Sequence, residues 1–465
     1  MTPETSISKR ELLLLASLFL FEAAIAVLWM AMYMKGERPF QIFISSRPGM
    51  AFLCAGAILL ISGVDLARRY LVNKRSPSGR FRLVVMMNLV SVLLIVMTGE
   101  IAVRAGSRSH MDGEVFGNVV LKPRNWDKAI HRLLIENTGG DHSNRHLDYD
   151  DRMGWTVAPN RCSSDGLYCS SLEGVRAQQE EVVFPRIQGR EEIALIGDSF
   201  TFGNEVSYEE TWGYQLNQML GNEFRVLNFG VGGYGLDQAL VRYENDVRER
   251  RPNVVIFSFI SHDLFRTMWV YPFIAMPEWN MPFSKPRFVM RDGELVNLNL
   301  TPLSTEAIFS GESISDLPLL EYDRGYRASD WQTHWYQFFY LIRLLTSLFP
   351  PWEAVGPDSS GDGLIATNAA ILKTFVRSVK EGGSVPLVVF LPMKMDLGRE
   401  ASYVPLGKRV LEQAGIPYID ATSCVSEVNS ADRFLENHYS PQGNEAVAKC
   451  VYKAMKESLP LPMPG

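Results

Sequence analysis

"IALIGDSFTFGNEV" runs from Ile193 to Val206. Ile193, Ala194, Leu195 and Ile196 form an unbroken apolar run of strand type, as suits a strand covered on both faces. The run stops at Gly197 and at once presents Asp198 and Ser199. A buried strand that ends this way either feeds a helix near Thr201, with Ser199 as its N-cap, or carries a nucleophile. The rest of the chain has to decide.

Working outward, the same strand type returns in "FRVLNFG" (Phe224 to Gly230), "NVVIFSFI" (Asn253 to Ile260), "VPLVVFLP" (Val385 to Pro392) and the short "IPYIDA" (Ile416 to Ala421). Between the second and third, "LDQALVRYENDVRER" places Leu236, Ala239, Leu240, Tyr243 and Val247 on one helical face. Strands alternating with helices predict an α/β fold with a doubly wound parallel sheet over residues 191–460. Ligands of such sheets bind where loops leave the carboxyl ends of the strands. Ser199, Gly233 and His262 all fall at such ends. Residues 264–359 interrupt the rhythm with a hairpin-like "RFVMRDGELVNLNL" and an aromatic helix, "HWYQFFYLIRLLTSLF". They read as an insertion beside the site mouth, either a substrate wall or an added packing layer.

The chain of 465 residues is too long for one ordinary domain, and its front is the apolar part. Leu12 to Met34 carries a single charge, Glu22, and is long enough to cross a hydrocarbon core of roughly 30 Å. Pro48 to Val64 and Leu83 to Gly99 are shorter runs, each near the lower limit for a span, and a buried helix is the competing reading of either. A three-span anchor over residues 1–104 is expected, with spans near 12–34, 48–67 and 83–103. A cleaved signal peptide competes for the first run, but that run is long and has no small-residue cleavage site. Arg68, Arg69, Lys74, Arg75, Arg80 and Arg82 hold the loop before the third run in the cytoplasm, with Lys9 and Arg10 on the same side. Everything after Arg104 then emerges on the extracytoplasmic, periplasmic side of a multi-pass inner-membrane protein. Residues 105–190 read as a polar connector to the globular domain.

Cys54 lies in a membrane run, whereas Cys162, Cys169, Cys424 and Cys450 lie beyond it. In an oxidising compartment they permit two disulfides, most simply Cys162–Cys169 and Cys424–Cys450, although four cysteines allow three pairings or four free thiols. No C-x-x-C spacing points to zinc. His142 and His146 near Asp148, Asp150 and Asp151 could be imagined as a metal site, but a solvated connector is the simpler reading. No metal or cofactor is expected, and a net charge of −6 gives no reason for a nucleic-acid partner.

"NFGVGGYG" holds Gly230, Gly232 and Gly235 in G-x-G-x-x-G spacing between a strand and a helix, the context of a dinucleotide fingerprint, with Asp263 beyond the next strand. Two facts oppose that reading: the loop follows the second strand instead of opening the sheet, and soluble dinucleotides are scarce outside the cytoplasm. A hydrolase uses the same loop to aim a bare backbone N–H at a reacting carbonyl. A serine nucleophile needs a histidine oriented by a carboxylate. His438 in "ENHYSPQGN" precedes an evident C-terminal helix, with Glu436 two residues and Asp432 six residues away.

"GDSF" (Gly197 to Phe200), "NFGVGGYG", "SHDLF" (Ser261 to Phe265) and "ENHYSPQGN" (Glu436 to Asn444) resemble, in order, the four blocks of the SGNH/GDSL hydrolases. "DDRMGWTVAPN" (Asp150 to Asn160) resembles the segment that precedes the first block in membrane-anchored bacterial members. The resemblance covers roughly residues 190–455 without the insertion, and implies a flavodoxin-like three-layer sandwich. It implies Ser199 as nucleophile, an oxyanion hole made by the N–H groups of Ser199 and Gly233, and His438 as general base. Two positions depart from the pattern. His262 stands where the family's third block has an asparagine amide, so it either donates a ring N–H or marks a site that no longer catalyses. The family's fourth block has an aspartate two or three residues before the histidine, where this chain has Glu436 at two and Leu435 at three, which leaves Glu436, or else Asp432, to orient His438. The implied activity is that of a serine esterase or O-acyltransferase acting on acyl esters, acetyl above all, of an envelope glycan, with a membrane acyl carrier as partner. The alternative is an inactive binding or assembly module of a membrane complex.

Overall fold

A computed structural model describes residues 79–138, 146–279, 281–348, 361–400 and 402–458. The first two apolar runs, with Glu22 and Cys54, lie outside these residues, as does His142. The chain divides into two compact units, one within Met1–Ala129 and Ala328–Trp352, the other within Ile130–Arg327 and Glu353–Gly465.

The larger unit is built on five parallel strands: β1 (Glu191–Ile196), β2 (Phe224–Asn228), β3 (Val254–Phe259), β4 (Val385–Phe390) and β5 (Ile419–Asp420). Their order is β5-β4-β3-β1-β2. That is the doubly wound arrangement whose order reverses beside β1, where β1 pairs with both β3 and β2. Alternation along the strands divides the core. Ala194, Ile196, Val255 and Phe257 face one side, with Leu236 and Leu240 of α3 (Leu236–Arg242), Ile371 and Phe375 of α4 (Gly361–Glu381) and Leu411 of α5 (Leu406–Ala414). Ile193, Leu195, Val254 and Ile256 face the other, with Leu216 of α2 (Trp212–Leu220) and Val447 and Val451 of α6 (Pro441–Ser458). A strand with apolar side chains on both faces is thereby buried on both, which is why the runs read as continuous.

The expected solvated connector is partly core. Leu147–Asp150 and Gly154–Val157 form an antiparallel hairpin. Trp155 and Val157, two residues apart and so on one face, are 0% and 2% exposed in the main core. His146 is half-buried against Tyr168 and Phe202, with ring centroids 4.9 and 5.9 Å away. Burial, then the neighbouring Arg176 charge, pushes its pKa down to about 4. Among the described residues no cluster of three or more His, Cys, Asp or Glu is arranged to hold a metal. The structure joins Cys162 to Cys169 and Cys424 to Cys450.

The insertion divides. Its first part stays with the sheet and contains the hairpin Phe288–Arg291/Glu294–Asn297, whose turn residues Asp292 and Gly293 both have positive φ (52° and 84°). A buried ion pair between Lys285 and Asp237 ties it to α3. The aromatic helix belongs to the other unit, so it is not part of a wall within the hydrolase-like unit. The smaller unit, which holds the aromatic helix, also contains the helix Gly79–Gly106, which takes up the third apolar run. Among the described residues, which include the side chains of only part of that helix, no helix is long and apolar enough to cross a membrane.

Candidate active site

Gly197 ends β1 at a place with no room for a side chain, since a Cβ there would lie 2.2 Å from Thr201 Oγ1 and 2.3 Å from the carbonyl of Ser258. The chain then turns directly into the short helix α1 (Ser199–Phe202). Asp198 caps that helix, its Oδ1 accepting the amides of Phe200 and Thr201 at 3.0 and 3.4 Å. The cap is therefore the aspartate, which leaves the Ser199 hydroxyl available. Thr201 Oγ1 and Ser258 Oγ, 2.6 Å apart, fasten α1 to β3.

Ser199 Oγ lies 2.8 Å from Nε2 of His438, although 239 positions separate them in sequence. The segment before α6 carries the histidine and is pinned from both sides. Tyr439 Oη donates to the carbonyl of Pro392 after β4 (2.7 Å), and Asn444 Oδ1 accepts the amide of Trp212 (3.0 Å). The Phe200 ring packs beside the imidazole, centroid to centroid 4.9 Å.

The acid is a correction to the sequence reading. Nδ1 of His438 meets Oε1 of Glu205 at 2.8 Å, and the Glu205 carboxylate also accepts the amides of Asn437 (3.1 Å) and His438 (3.3 Å). Burial pushes the Glu205 carboxyl up, but the hydrogen bonds from the His438 ring and these two amides outweigh it and leave the group below its usual value. An ionised carboxylate at Nδ1 requires the ring proton there, so Nε2 presents its lone pair to Ser199. Glu436 and Asp432 are exposed, and neither bonds to the ring. The reason is the backbone: Leu435 and His438 bond to each other across a tight turn, with Phe434 and Tyr439 bridged, so Glu436 sits at its solvent-facing tip. Glu205 takes a left-handed backbone (φ 69°) in the loop after α1, which aims its side chain at the histidine.

Residues 193–289 match the family model described as GDSL-like lipase/acylhydrolase. This stretch is similar to the GDSL hydrolases. His438 lies beyond the matched stretch, and the fold brings it back to the GDSL serine. Among solved structures the chain is similar to LAE5, an alpha/beta hydrolase from the metagenome of Lake Arreo (16% identity, 57% of this chain and 95% of that one, TM-score 0.31). It is also similar to a G-D-S-L family protein from Desulfitobacterium hafniense (13%, 56% and 98%, 0.28) and to a catalytic mutant of the acetylxylan esterase Axe2 from Geobacillus stearothermophilus (14%, 58% and 95%, 0.30). At those scores the likenesses carry no weight of their own. Nothing among curated proteins matches the chain.

The glycine loop after β2, expected to line an oxyanion hole, lies beside the serine. Val231 N–H donates to the carbonyl of Gly197 (3.1 Å), which holds this loop beside the serine. Gly233 has φ +81°, and a Cβ there would touch the rings of Trp155 and Trp279 at 3.4 Å each. Trp155 Nε1 donates to the carbonyl of Gly232 (2.9 Å), so the segment around "GWTV" buttresses the loop. The amides of Ser199 and Gly233 have no acceptor among the described residues.

His262 follows β3 with its Nδ1 3.4 Å from Arg266 Nη2. A guanidinium can only donate, so Nδ1 accepts and the ring carries its proton on Nε2. Burial, then the Arg266 charge, pushes the pKa of His262 down to about 4, so the ring is neutral at physiological pH. Sequence reasoning missed Arg266. Its Nη1 donates to Asp263 Oδ1 (2.6 Å) and to the carbonyl of Tyr234 (2.9 Å), and lies 3.8 Å from Asp198 Oδ2. Burial pushes up both carboxyls, that of Asp263 further because of the Asp198 charge beside it. The Arg266 plane also lies over the Trp279 ring at 5.0 Å.

Proposed function

We propose that the protein is a membrane-anchored, extracytoplasmic serine esterase or O-acyltransferase that acts on acyl esters, acetyl first among them, of an envelope glycan. The observation that carries the reading is the continuous relay from Ser199 Oγ through both ring nitrogens of His438 to Glu205, with 2.8 Å at each contact.

In the first half-reaction His438 Nε2 takes the hydroxyl proton as Ser199 Oγ attacks the ester carbonyl. The N–H groups of Ser199 and Gly233 hold the resulting oxyanion, with the His262 Nε2–H as a third donor. Collapse expels the alcohol, which leaves with the proton from His438, and an acyl group stays on Ser199. In the second half-reaction water or a sugar hydroxyl gives its proton to His438 and attacks the acyl-serine, regenerating the hydroxyl. Glu205 keeps the ring in the right tautomer and balances the imidazolium in both halves.

Two further features support the substrate class. The crowding of Gly233 between Trp155 and Trp279 suits a short acyl group, and Trp279, half-buried beside that loop, offers an aromatic face on which a sugar can lie. The anchor rests on the three apolar runs and the basic loops between them. It would place the site near a membrane acyl carrier as donor.

Turnover of 4-nitrophenyl acetate and of an acetylated glycan tests the reading, alongside mass spectrometry of Ser199 after incubation with an activated acyl donor. Acetylation at Ser199 and loss of turnover in Ser199→Ala are expected. An unchanged rate in that variant would remove the catalytic reading, and failure of a serine-directed fluorophosphonate to label would favour the inactive module. Transfer of the acetyl group to added oligosaccharide separates transferase from esterase.

A further inference from the structure

The unit that contains the helix Gly79–Gly106 ends in an aromatic turn that the esterase reading does not use. A 3-10 turn, Trp335–Phe338, leads into the helix Tyr340–Leu348. This segment is fixed to the polar end of the long helix. Leu341 N–H donates to Glu100 Oε2 (2.9 Å), and Arg104 Nη2 donates to the carbonyl of Phe338 (2.7 Å). The Arg104 guanidinium lies over the Tyr340 ring at 4.5 Å. A Cβ on Gly99 would stand 3.4 Å from the Leu341 side chain, so the two helices are in direct contact there. Beneath the turn Leu344 packs with Val103, Phe116 and Leu121 in a small core.

That anchorage points other apolar side chains outward. Trp335 is 78% exposed, Phe338 79% and Phe339 50%. The long helix is exposed in the same manner below them, with Val90, Leu94, Met97 and Ile101 each more than half bare. Along the helix the order is aliphatic residues, then the ion pair Glu100–Arg104, with the aromatic turn fastened at the level of that pair. Aliphatic side chains, then tryptophan and phenylalanine among the first charges, is the depth profile of a bilayer from its hydrocarbon to its headgroups. Leu83 to Gly99 at about 1.5 Å per residue covers roughly 24 Å, most of a hydrocarbon core, so the turn falls at its far edge.

We propose that Trp335, Phe338 and Phe339 sit in the outer-leaflet interface of the bilayer, a second lipid contact that fixes this unit against the membrane surface. The occupant is lipid and not a protein groove, because the exposed aromatic turn is fastened beside Leu93, Leu94, Met97 and Ile101 of the long helix, which are themselves exposed and aliphatic. The inference rests on the membrane-anchored reading above.

The test uses the full-length protein in nanodiscs whose lipids are brominated near the headgroup or near the bilayer centre. Comparison of wild type with Trp335→Phe isolates one of the nine tryptophans. The Trp335 contribution should be blue-shifted and quenched about twofold by the shallow bromines, and less by the deep ones. A water-like contribution that neither lipid quenches overturns the proposal. So does a blue-shifted but unquenched one, which would mean that residues 12–64 of the chain cover the turn. An environment-sensitive dye on Phe338→Cys in a Cys54→Ser background gives the same depth independently. Failure of the anchor itself reads differently, as release of the protein from membranes by alkaline washing. Retention with an unquenched Trp335 sinks this inference alone.

Discussion

Replacing Glu205 with glutamine keeps the side-chain shape and removes the charge that His438 faces. Its Oε1 lies 2.8 Å from Nδ1, and the carboxylate also accepts the amides of Asn437 and His438. An amide can satisfy part of this set, but whenever its NH2 faces the ring it drives the proton onto Nε2, against the Ser199 hydroxyl. It also leaves the imidazolium formed during attack without a counter-charge. Loss of the orienting carboxylate in a serine–histidine relay costs about 10,000-fold in kcat, roughly 5 kcal/mol of barrier. Glu205 keeps 24% of its side-chain surface in solvent, where water screens part of that charge. The expected loss in kcat/KM is therefore about 100- to 10,000-fold, or roughly 3 to 5 kcal/mol. Glu436→Gln, two residues from the histidine but pointing to solvent, should change the rate less than about threefold. Hydrolysis of 4-nitrophenyl acetate by both variants decides the matter. Comparable losses in the two, or a wild-type rate in Glu205→Gln, would refute the geometry. The variant should also be less stable at neutral pH. The Glu205 carboxyl is held below its usual value in the fold, so its contribution is complete above the unfolded value and fades as pH falls through the folded one.

At the oxyanion hole, His262→Ala should lower kcat/KM by about 100- to 1,000-fold, whereas His262→Asn, which restores an amide donor, should stay within about tenfold of wild type. A wild-type rate in His262→Ala would remove that donor from the mechanism. His146, held neutral with a pKa of about 4 against an unfolded value near 6.5, makes the fold acid-sensitive. The unfolded chain takes a proton that the folded one refuses, so stability should fall by up to about 1.4 kcal/mol per pH unit between those values, and His146→Gln should flatten the slope measured by thermal melts in detergent. His262, lowered to about the same value, adds a second slope of the same sign. Breaking the buried Lys285–Asp237 pair with Asp237→Asn should cost about 3–5 kcal/mol, and the double replacement Asp237→Leu with Lys285→Met should recover most of it. Equal instability of single and double variants would mean that shape, not charge, is at stake.

The sheet was legible because its central strands β1 and β3 are buried on both faces over Ile193–Ile196 and Val254–Phe257, which makes those runs continuously apolar, and Gly197 marks the end of the first without ambiguity. Ser199, Gly233 and His438 were legible for a related reason: each sits where a strand or helix boundary limits the residue types that fit. The hairpin through Trp155 was hidden, because two strands of four residues among prolines, glycines and acids look like a connector. Their burial depends on a partner surface assembled from distant segments. The aromatic helix carries a strong helical pattern, but the pattern names a buried face without naming the neighbour, which turned out to be the helix around Gly99.

Glu205 shows most sharply what sequence spacing can and cannot supply. A carboxylate close to His438 in sequence is neither necessary nor sufficient, because the imidazole needs an acid at Nδ1, on the side away from the serine. The turn that places Nε2 at Ser199 points the nearest acid, Glu436, into solvent. Leu435, three residues before the histidine, carries no charge, so the orienting charge has to come from elsewhere in the site. Between Ser199 and Val206 there is one acid, Glu205, in a loop released by Gly203, whose φ is +85°. A nucleophile loop that carries its own acid keeps base and acid on separate segments, the base before α6 and the acid after α1. Glu205 therefore fixes the distance between the serine loop and the histidine segment as well as the tautomer. On this argument, shortening the side chain with Glu205→Asp should cost nearly as much activity as Glu205→Gln although the charge remains, since the carboxylate would fall short of Nδ1 by about one methylene. Near-wild-type turnover in that variant would show that the charge alone suffices and that the two segments are held together by other contacts.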